Sequence, residues 1–436
     1  MRGEWQAMTL RAANVTLIDC DHRTPPAAED GYPYVAIPQM RGGRIELNDA
    51  RRISHEHYLE WTRKAKPSSN DVILSRRCNP GETAVAPLGA EFALGQNLVL
   101  LHADGTKVYP PFLRWLVRGP DWWEQIGKFN NVGAVFDSLK CADVPKFELR
   151  IPPLDEQRAI AHILGTLDDK IEINRRMNET LEAMARTLFK SWFVDFDPVR
   201  AKAEGRDPGL PKSIADLFPA RLVDSDLGEI PEGWEIGSIL EHAQLLSGGT
   251  PRTDYPEYWD GPIAWASAKD VSQSSGLFLV NTERSITKRG LDESATPVVP
   301  AFCSAVVARG ATTGRMVLFG REMAMNQTCY ALETTNKTPF ALYCRLRQEI
   351  DALVHAAHGS VFDTITTSTF ASSRIVLPPH PALEAFEKKA EPAFQRALRS
   401  IFDSRHLSEL LDSLLPKLIS GDLRVNEAER FIEVNA

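Results

Sequence analysis

Two seven-residue stretches decide the fold: Gly133-Ala134-Val135-Phe136-Asp137-Ser138-Leu139 and Gly359-Ser360-Val361-Phe362-Asp363-Thr364-Ile365. They carry one pattern at an offset of 226 residues. Ile151-Pro152-Pro153 recurs as Leu377-Pro378-Pro379, and Thr24-Pro25 as Thr250-Pro251, at the same offset. Between these anchors the offset drifts by a few residues, as loop insertions would make it drift. Tyr34-Val35-Ala36 falls near Ile263-Ala264-Trp265, and Asp71-Val72-Ile73-Leu74-Ser75-Arg76 near Ser304-Ala305-Val306-Val307-Ala308-Arg309. Five matches in one order are an internal duplication, which constrains the fold more than any single motif.

Each copy opens with about 150 residues of short β-rich runs and loops, 1–150 and 236–380. The apolar runs Asp71–Leu74, Asn97–Leu101, Cys303–Val307 and Met316–Phe319 predict buried strands bounded by turn residues. A long helix follows in each copy, opened by Pro-Pro, where a missing N–H costs nothing. In the first helix Ile160, Leu164, Leu167, Ile171, Asn174, Asn178, Leu181, Ala185, Leu188 and Trp192 advance in alternating steps of four and three. Adding 226 gives Phe386, Ala390, Ala393, Ala397, Ser400, Ser404, Leu407, Leu411, Leu414 and Leu418. Both seams are apolar at their ends and small or polar in the middle. This is a coiled-coil seam whose natural partner is the other copy, with Asn174 and Asn178 fixing register. Pro392 should kink the second helix or delay its start. Asp195 to Glu235, rich in Pro, Gly and acids, reads as a surface connector. The predicted division is thus 1–150, a helix over 151–197, a connector over 198–235, 236–380, and a helix over 381–436.

The 436 residues carry a formal charge of −8, with 43% hydrophobic and 25% charged residues. Such a composition excludes collagen-like, disordered and disulfide-rich chains. There is no apolar run long enough for a transmembrane helix and no signal peptide, so no membrane partner is expected. Six scattered cysteines without a CxxC pair point to reduced thiols in the cytoplasm. The acidity is local: 151–235 carries −6, whereas 1–150 carries +1 and 236–380 carries −1. Arg41, Arg44, Arg51, Arg52, Arg63, Lys64, Lys66, Arg76 and Arg77 form a basic stretch, with Lys269, Lys288, Arg289, Arg309 and Arg315 a thinner version in the second copy.

Catalytic signatures are missing. Gly310–Arg315 lacks the spacing and the Lys-Ser/Thr ending of a phosphate-binding loop, and Ser247-Gly248-Gly249-Thr250-Pro251 lacks dinucleotide spacing. No Asn-Pro-Pro-aromatic tetrad of the amino-methyltransferases occurs; Cys78-Asn79-Pro80-Gly81 does not supply one. His55-Glu56-His57 and His355/His358 have no third ligand nearby, so no metal is expected. Asp168-Asp169-Lys170 could mimic a nuclease acid cluster, but an exposed helix face explains it better. Two similar domains, two matched helices and no reaction site describe a pseudo-two-fold binding scaffold. Duplex DNA, itself nearly two-fold, is the ligand such a scaffold fits.

The stretch Ile151-Pro152-Pro153-Leu154-Asp155-Glu156-Gln157-Arg158, then Ile163-Leu164 and Leu167-Asp168-Asp169-Lys170-Ile171-Glu172-Ile173-Asn174, resembles the central region of DNA-specificity subunits of type I restriction–modification systems. Leu188-Phe189-Lys190-Ser191-Trp192-Phe193 continues the likeness. Ser247–Pro251, Pro256-Glu257-Tyr258-Trp259, Ile286-Thr287 with Gly290-Leu291, and Asn326-Gln327 resemble the family's target-recognition domain. The resemblance implies an α/β chain with two β-rich target-recognition domains separated by two long antiparallel helices. Each domain would read half of a split double-stranded DNA sequence, and the helices would act as a ruler. Two modification (methyltransferase) subunits would dock on the chain, and restriction subunits could join. S-adenosylmethionine, ATP and Mg would belong to those partners; this chain would bind no cofactor and catalyse nothing. In the second copy Pro378-Pro379-His380-Pro381 replaces the Glu-Gln pair, which suggests a different second docking surface.

Arg pairs best with guanine and Asn or Gln with adenine, while phosphate contacts supply salt-sensitive affinity. The candidate DNA contacts are Arg41, Arg44, Arg76, Arg77, Gln96 and Asn97 in the first copy. In the second they are Ser247, Gly249, Thr250, Arg252, Lys269, Arg309, Thr313, Arg315, Asn326 and Gln327. Gly248 and Gly249 are expected to let a phosphate approach the backbone. Against these stand a turn-capping role for Asn97 or Asn326 and, for the whole chain, two rival readings: a protein-assembly scaffold without DNA, or a stand-alone nuclease.

Overall fold

The computed structural model describes residues 5–131, 137–274, 276–357 and 364–435. Gly133–Phe136, Gly359–Asp363 and His358 lie outside the described residues; of the two duplicated stretches, 137–139 and 364–365 are described. The chain falls into two compact units, Met1–Lys170 with His406–Ala436, and Ile171–Arg405. Each holds one repeated domain and part of both long helices. Among the described residues no helix is long and apolar enough to cross a membrane.

The first unit builds a six-stranded sheet in the order Val15–Asp19, Leu98–Ala103, Val72–Ser75, Thr83–Val85, Arg44–Ile45, Met40–Arg41. The second builds a five-stranded sheet in the order Ala243–Ser247, Cys329–Thr334, Ser304–Val307, Met316–Phe319, Phe278–Leu279. Val72–Ser75 and Ser304–Val307 are buried at every residue. That is why these runs are continuously apolar rather than alternating: both faces of the strand are covered. Each unit adds a three-stranded sheet, Arg51–Ile53/Tyr32–Val35/Ala93–Leu94 and Arg284–Ile286/Trp259–Ala266/Ala324–Met325. In each, a terminal pair, Gln6–Thr9 with Glu148–Ile151 and Glu235–Gly237 with Ile375–Leu377, ties the start of the domain to the strand before the long helix.

The ladders fix which residues correspond. Arg77 bridges Ser138 as Arg309 bridges Thr364. Leu139 N–H donates to Arg76 O at 2.8 Å as Ile365 N–H donates to Ala308 O at 2.9 Å. Arg77 therefore matches Arg309, one residue from the alignment the sequence suggested. Tyr34 pairs with Ala93 as Trp265 pairs with Ala324, a shift of two from that alignment. Both rings hook the carbonyl before Thr-Pro: Tyr34 Oη donates to Arg23 O at 3.3 Å, and Trp265 Nε1 to Gly249 O at 3.0 Å.

The long helices span Leu154–Phe193 and His380–Ser420. The second helix starts at His380 and runs on through Pro392, so the delayed start expected of that proline does not occur. Ala390, Phe394 and Ala397 are buried around it, and that packing offsets the lost hydrogen bond of the proline. The seam is buried at Ile160, Leu164, Leu167, Trp192, Leu407, Leu411, Leu414 and Leu418; Ile171, Leu181 and Leu188 are half-buried. At its polar middle Asn174 Nδ2 donates to Ser404 Oγ at 3.1 Å, and Ser400 Oγ donates to Asn178 Oδ1. Ser400 and Ser404 are the repeat counterparts of Asn174 and Asn178. The contact is therefore isologous, i to j′ and j to i′, as at a two-fold axis. Rising numbers on one helix meet falling numbers on the other, so this segment is antiparallel.

Residues 198–235 are more than a connector. They contain a helix Asp197–Ala203 and a hairpin Leu222–Ser225/Gly228–Pro231. Val199, Phe218, Ile230 and Trp234 are buried in the same core cluster as Phe189, Trp192 and Phe193. The Pro/Gly content hid these apolar anchors.

One buried position differs sharply between the units. In the first, Arg44 and Arg114 both place a guanidinium on the Asp168 carboxylate. Asp168 is 7% exposed, so the expected exposed helix face is wrong for it. In the second unit Phe394 stands 226 residues on. Phe340 stacks on it with centroids 4.3 Å apart, and Tyr343 and Phe278 meet it edge-on. The correspondence is positional: Arg44 pairs with Val85 as Phe278 pairs with Leu318. Arg114 and Tyr343 both follow by four residues the proline that opens a helix, Pro110 and Pro339.

Candidate DNA interface

In the first domain an open cleft of about 630 Å³ lies among Thr24, Tyr34, Gln39, Asp49, Arg51, Cys78, Gln96 and Asn97. Its floor comes from the turn before Leu98–Ala103: Gly95 N–H donates to Val35 O at 2.7 Å, which turns Gln96 and Asn97 to the rim. Gln96 is exposed and Asn97 half-buried. Gln39 is occupied by capping, its Oε1 accepting Ala36 N–H at 3.0 Å. Nearby, the His22 ring sits between the Asp19 carboxylate at 3.0 Å and the Arg76 guanidinium at 3.2 Å.

The structure sorts the sequence candidates. Arg44 is spent on Asp168 inside the unit and does not face the cleft's ligand space. Arg41 is paired with Glu46 at 2.8 Å, Arg252 with Asp254 at 2.9 Å and Lys269 with Glu283 at 2.6 Å. A DNA contact by any of these three must first break an ion pair. Arg77 is half-buried and held through its backbone to Ser138. Arg309 and Arg315 are exposed. Ser247 ends an edge strand and is exposed. Thr250 Oγ1 donates to Gln327 Oε1, and Thr313 Oγ1 to Gly310 O at 2.7 Å. Asn326 caps its own turn: its Oδ1 accepts Thr328 N–H at 3.2 Å and Thr328 Oγ1 at 2.7 Å.

Packing alone already requires glycine at both positions. A Cβ on Gly248 would lie 2.1 Å from Asn326 O, and one on Gly249 would lie 2.7 Å from Thr296 N. The close approach that demands glycine is made by the protein's own backbone. Gln157 belongs to the same kind of correction. It is fully buried, its Oε1 accepting Tyr109 N–H at 2.7 Å and its Nε2 donating to Lys107 O and Pro152 O, each at 2.8 Å. It staples the domain to the helix start, so its loss in the second copy does not concern a docking surface.

Catalytic and metal readings gain little. Asp168 has two guanidinium groups on one carboxylate oxygen, and their positive charge opposes a divalent ion there. Asp19, Cys20 and His22 bring ligand atoms within 4.8 Å of one another. Cys20 Sγ is aimed at the carbonyls of Asp21 and Gly95 at 3.4 and 3.3 Å, burial pushes its thiol up to about 12, and the Arg76 guanidinium stands beside the group. That set does not fit a cation. His57 Nδ1 is taken by Ser54 Oγ at 3.0 Å.

Sequence reasoning missed Arg51 as a cleft residue and Arg284 altogether. The signal was present in the duplication: Arg51 pairs with Tyr34 as Arg284 pairs with Trp265. Arg284 also stacks its guanidinium 3.4 Å over the Trp259 ring.

Two equivalent β-rich units with basic, amide-bearing rims and matched helices define a two-headed recognition scaffold. The profile of the type I restriction modification DNA specificity domain matches this chain twice, at residues 22–183 and 231–389, so the chain belongs to the type I restriction–modification DNA-specificity family. It is similar to the HindI specificity subunit of Haemophilus influenzae, with 26% identity over 378 residues, covering 76% of this chain and 81% of that one. The MjaIX specificity subunit of Methanocaldococcus jannaschii is 27% identical over 426 residues, covering 91% of this chain and 90% of that one. Among solved structures, the S subunit of a type I system from M. genitalium aligns over 95% of this chain and 96% of that one, with a TM-score of 0.53 at 15% identity, a likeness of fold.

Proposed function

We propose that this chain is the non-catalytic specificity subunit of a type I restriction–modification complex, with each repeated domain reading one half of a bipartite duplex DNA target. The long helices set the gap between the half-sites and dock two modification subunits. Adenine methylation, with its S-adenosylmethionine, and any ATP- and Mg-dependent cleavage belong to the partner subunits. The observation that carries the reading is the double match of the specificity domain at residues 22–183 and 231–389, joined by the isologous Asn174/Ser404 and Asn178/Ser400 contacts.

Protein partners on the helices are supported by apolar side chains left in solvent. Ile173 is 64% exposed, Met184 63% and Phe402 42%. A docked subunit would take these side chains out of water. The six cysteines, all free, suit a reducing cytoplasm.

The test is genome-wide mapping of methylated adenines in cells carrying the modification subunit with and without this chain. The expected result is a split motif with two different halves and a fixed gap, absent when the chain is absent. A protein-assembly scaffold without DNA predicts no change in the methylation map.

A further inference from the structure

Arg51 and Arg284 hold one position twice, opposite Tyr34 and Trp265 in matching antiparallel pairs. Both are exposed. Neither side chain has an ion pair or hydrogen bond among the described residues, whereas Arg41, Arg252 and Lys269 are neutralised by a neighbouring carboxylate. An unpaired guanidinium can take a phosphate without first breaking a contact. Arg284 is also pre-positioned by its stack on Trp259, so less side-chain entropy is lost when it binds. Arg51 lines the same cleft as Gln96 and Asn97.

The turn beside these arginines is both retained and diverged. Gly95 N–H meets Val35 O as Asn326 N–H meets Ala266 O, at 2.7 and 2.9 Å. That matches Gln96 with Gln327 and Asn97 with Thr328. The glutamine is common to both domains; the next residue is not. The Asn97 amide makes no hydrogen bond among the described residues, while Thr328 Oγ1 is engaged by Asn326 at 2.7 Å. A free carboxamide can read adenine through two hydrogen bonds, which a threonine cannot reproduce.

We propose that Arg51 and Arg284 are equivalent phosphate-gripping residues of the two DNA-reading faces, and that the diverged pair Asn97/Thr328 beside them makes the two half-sites differ. This rests on the DNA-specificity reading above. Phosphate contacts position a protein without selecting sequence, and base-edge contacts select. Retention at the first position and divergence at the second follow that division.

The experiment uses the full complex of this chain with its modification subunits, and a duplex bearing the mapped motif beside an unrelated duplex. Arg51→Ala and Arg284→Ala should each weaken binding to both duplexes and lower the slope of log affinity against log salt by about 0.9. From 50 to 200 mM salt, wild type should then lose about 3.5-fold more affinity than either variant. The methylated motif should keep its bases, and Arg51→Lys should restore the slope. Asn97→Thr should change base preference in one half-site and leave the other intact. An unchanged slope in both alanine variants, an altered motif in either, or an unaltered motif in Asn97→Thr overturns the proposal. If the wild-type complex yields no split motif, the DNA-specificity reading itself fails, and this inference with it.

Discussion

The first unit buries an acid between two arginines where the second buries a phenylalanine among three aromatic rings. Asp168 with Arg44 and Arg114, and Phe394 with Phe278, Phe340 and Tyr343, fill corresponding sockets between a β-sheet and a long helix. The backbone around them kept its ladders while the chemistry inverted. The lesson is that the fold asks this socket to be full and internally satisfied, and that charge pairing and apolar packing both meet the demand. It also explains why Arg44, a reasonable DNA candidate in a basic stretch, is not free to bind. Burial pulls the Arg114 guanidinium below its ordinary range, with Asp168 opposing the shift. The triad thus works against a desolvation cost that the aromatic version lacks.

The sockets can be broken at graded cost. Phe394→Asp should be worst, since it places a carboxylate among rings with no cation to meet it. Its cost should exceed the roughly 3–5 kcal/mol of Phe394→Ala, read as loss of folded chain in thermal unfolding. Asp168→Ala strands two guanidinium groups and should cost about 3–5 kcal/mol in denaturant unfolding. Gln157→Leu orphans Tyr109 N–H and the Lys107 and Pro152 carbonyls, and should cost about 1–3 kcal/mol. Grafting the aromatic version onto the first unit, Arg44→Phe with Arg114→Tyr and Asp168→Phe, should range from neutral to about 1–4 kcal/mol stabilising. A loss as large as that of Asp168→Ala would show that the two sockets are not equivalent.

A smaller difference concerns pH. Glu387 accepts Phe340 N–H at 3.1 Å and Ala341 N–H at 3.0 Å, yet burial raises its carboxyl to about 7 from 4.5. The folded chain then holds a proton that the unfolded chain releases. Stability from this group is therefore full below about 4.5 and falls as pH rises toward 7. Glu387→Gln should flatten the unfolding midpoint across that window; an unchanged slope would remove the group from the account.

The duplication, the buried strands and the helical seam were legible because each is written in the spacing of residues. Val72–Ser75 and Ser304–Val307 needed only apolar runs, and the seam needed only its alternating steps. What escaped depends on partners far apart in sequence. Nothing local says that Asp168 meets Arg44, 124 residues away, or that Gly248 is pressed against Asn326. Register slipped by one or two residues because loops of unequal length separate short strands that carry little pattern of their own. Pro392 was read by its intrinsic cost, which the packing of Ala390, Phe394 and Ala397 overrode. For the interface, residue type pointed to Arg41, Arg252 and Lys269 and passed over Arg284; only the structure separates these neutralised cations from Arg51 and Arg284, which have no ion pair among the described residues.

In the proposed function one chain carries two reading heads whose separation is set by paired helices. Inserting one helical turn in each long helix adds about 5.4 Å of length, while base pairs rise about 3.4 Å. Adenine methylation mapping of that insertion mutant should return the same two half-sites with a gap longer by one or two base pairs. The same half-sites at an unchanged gap would contradict the claim.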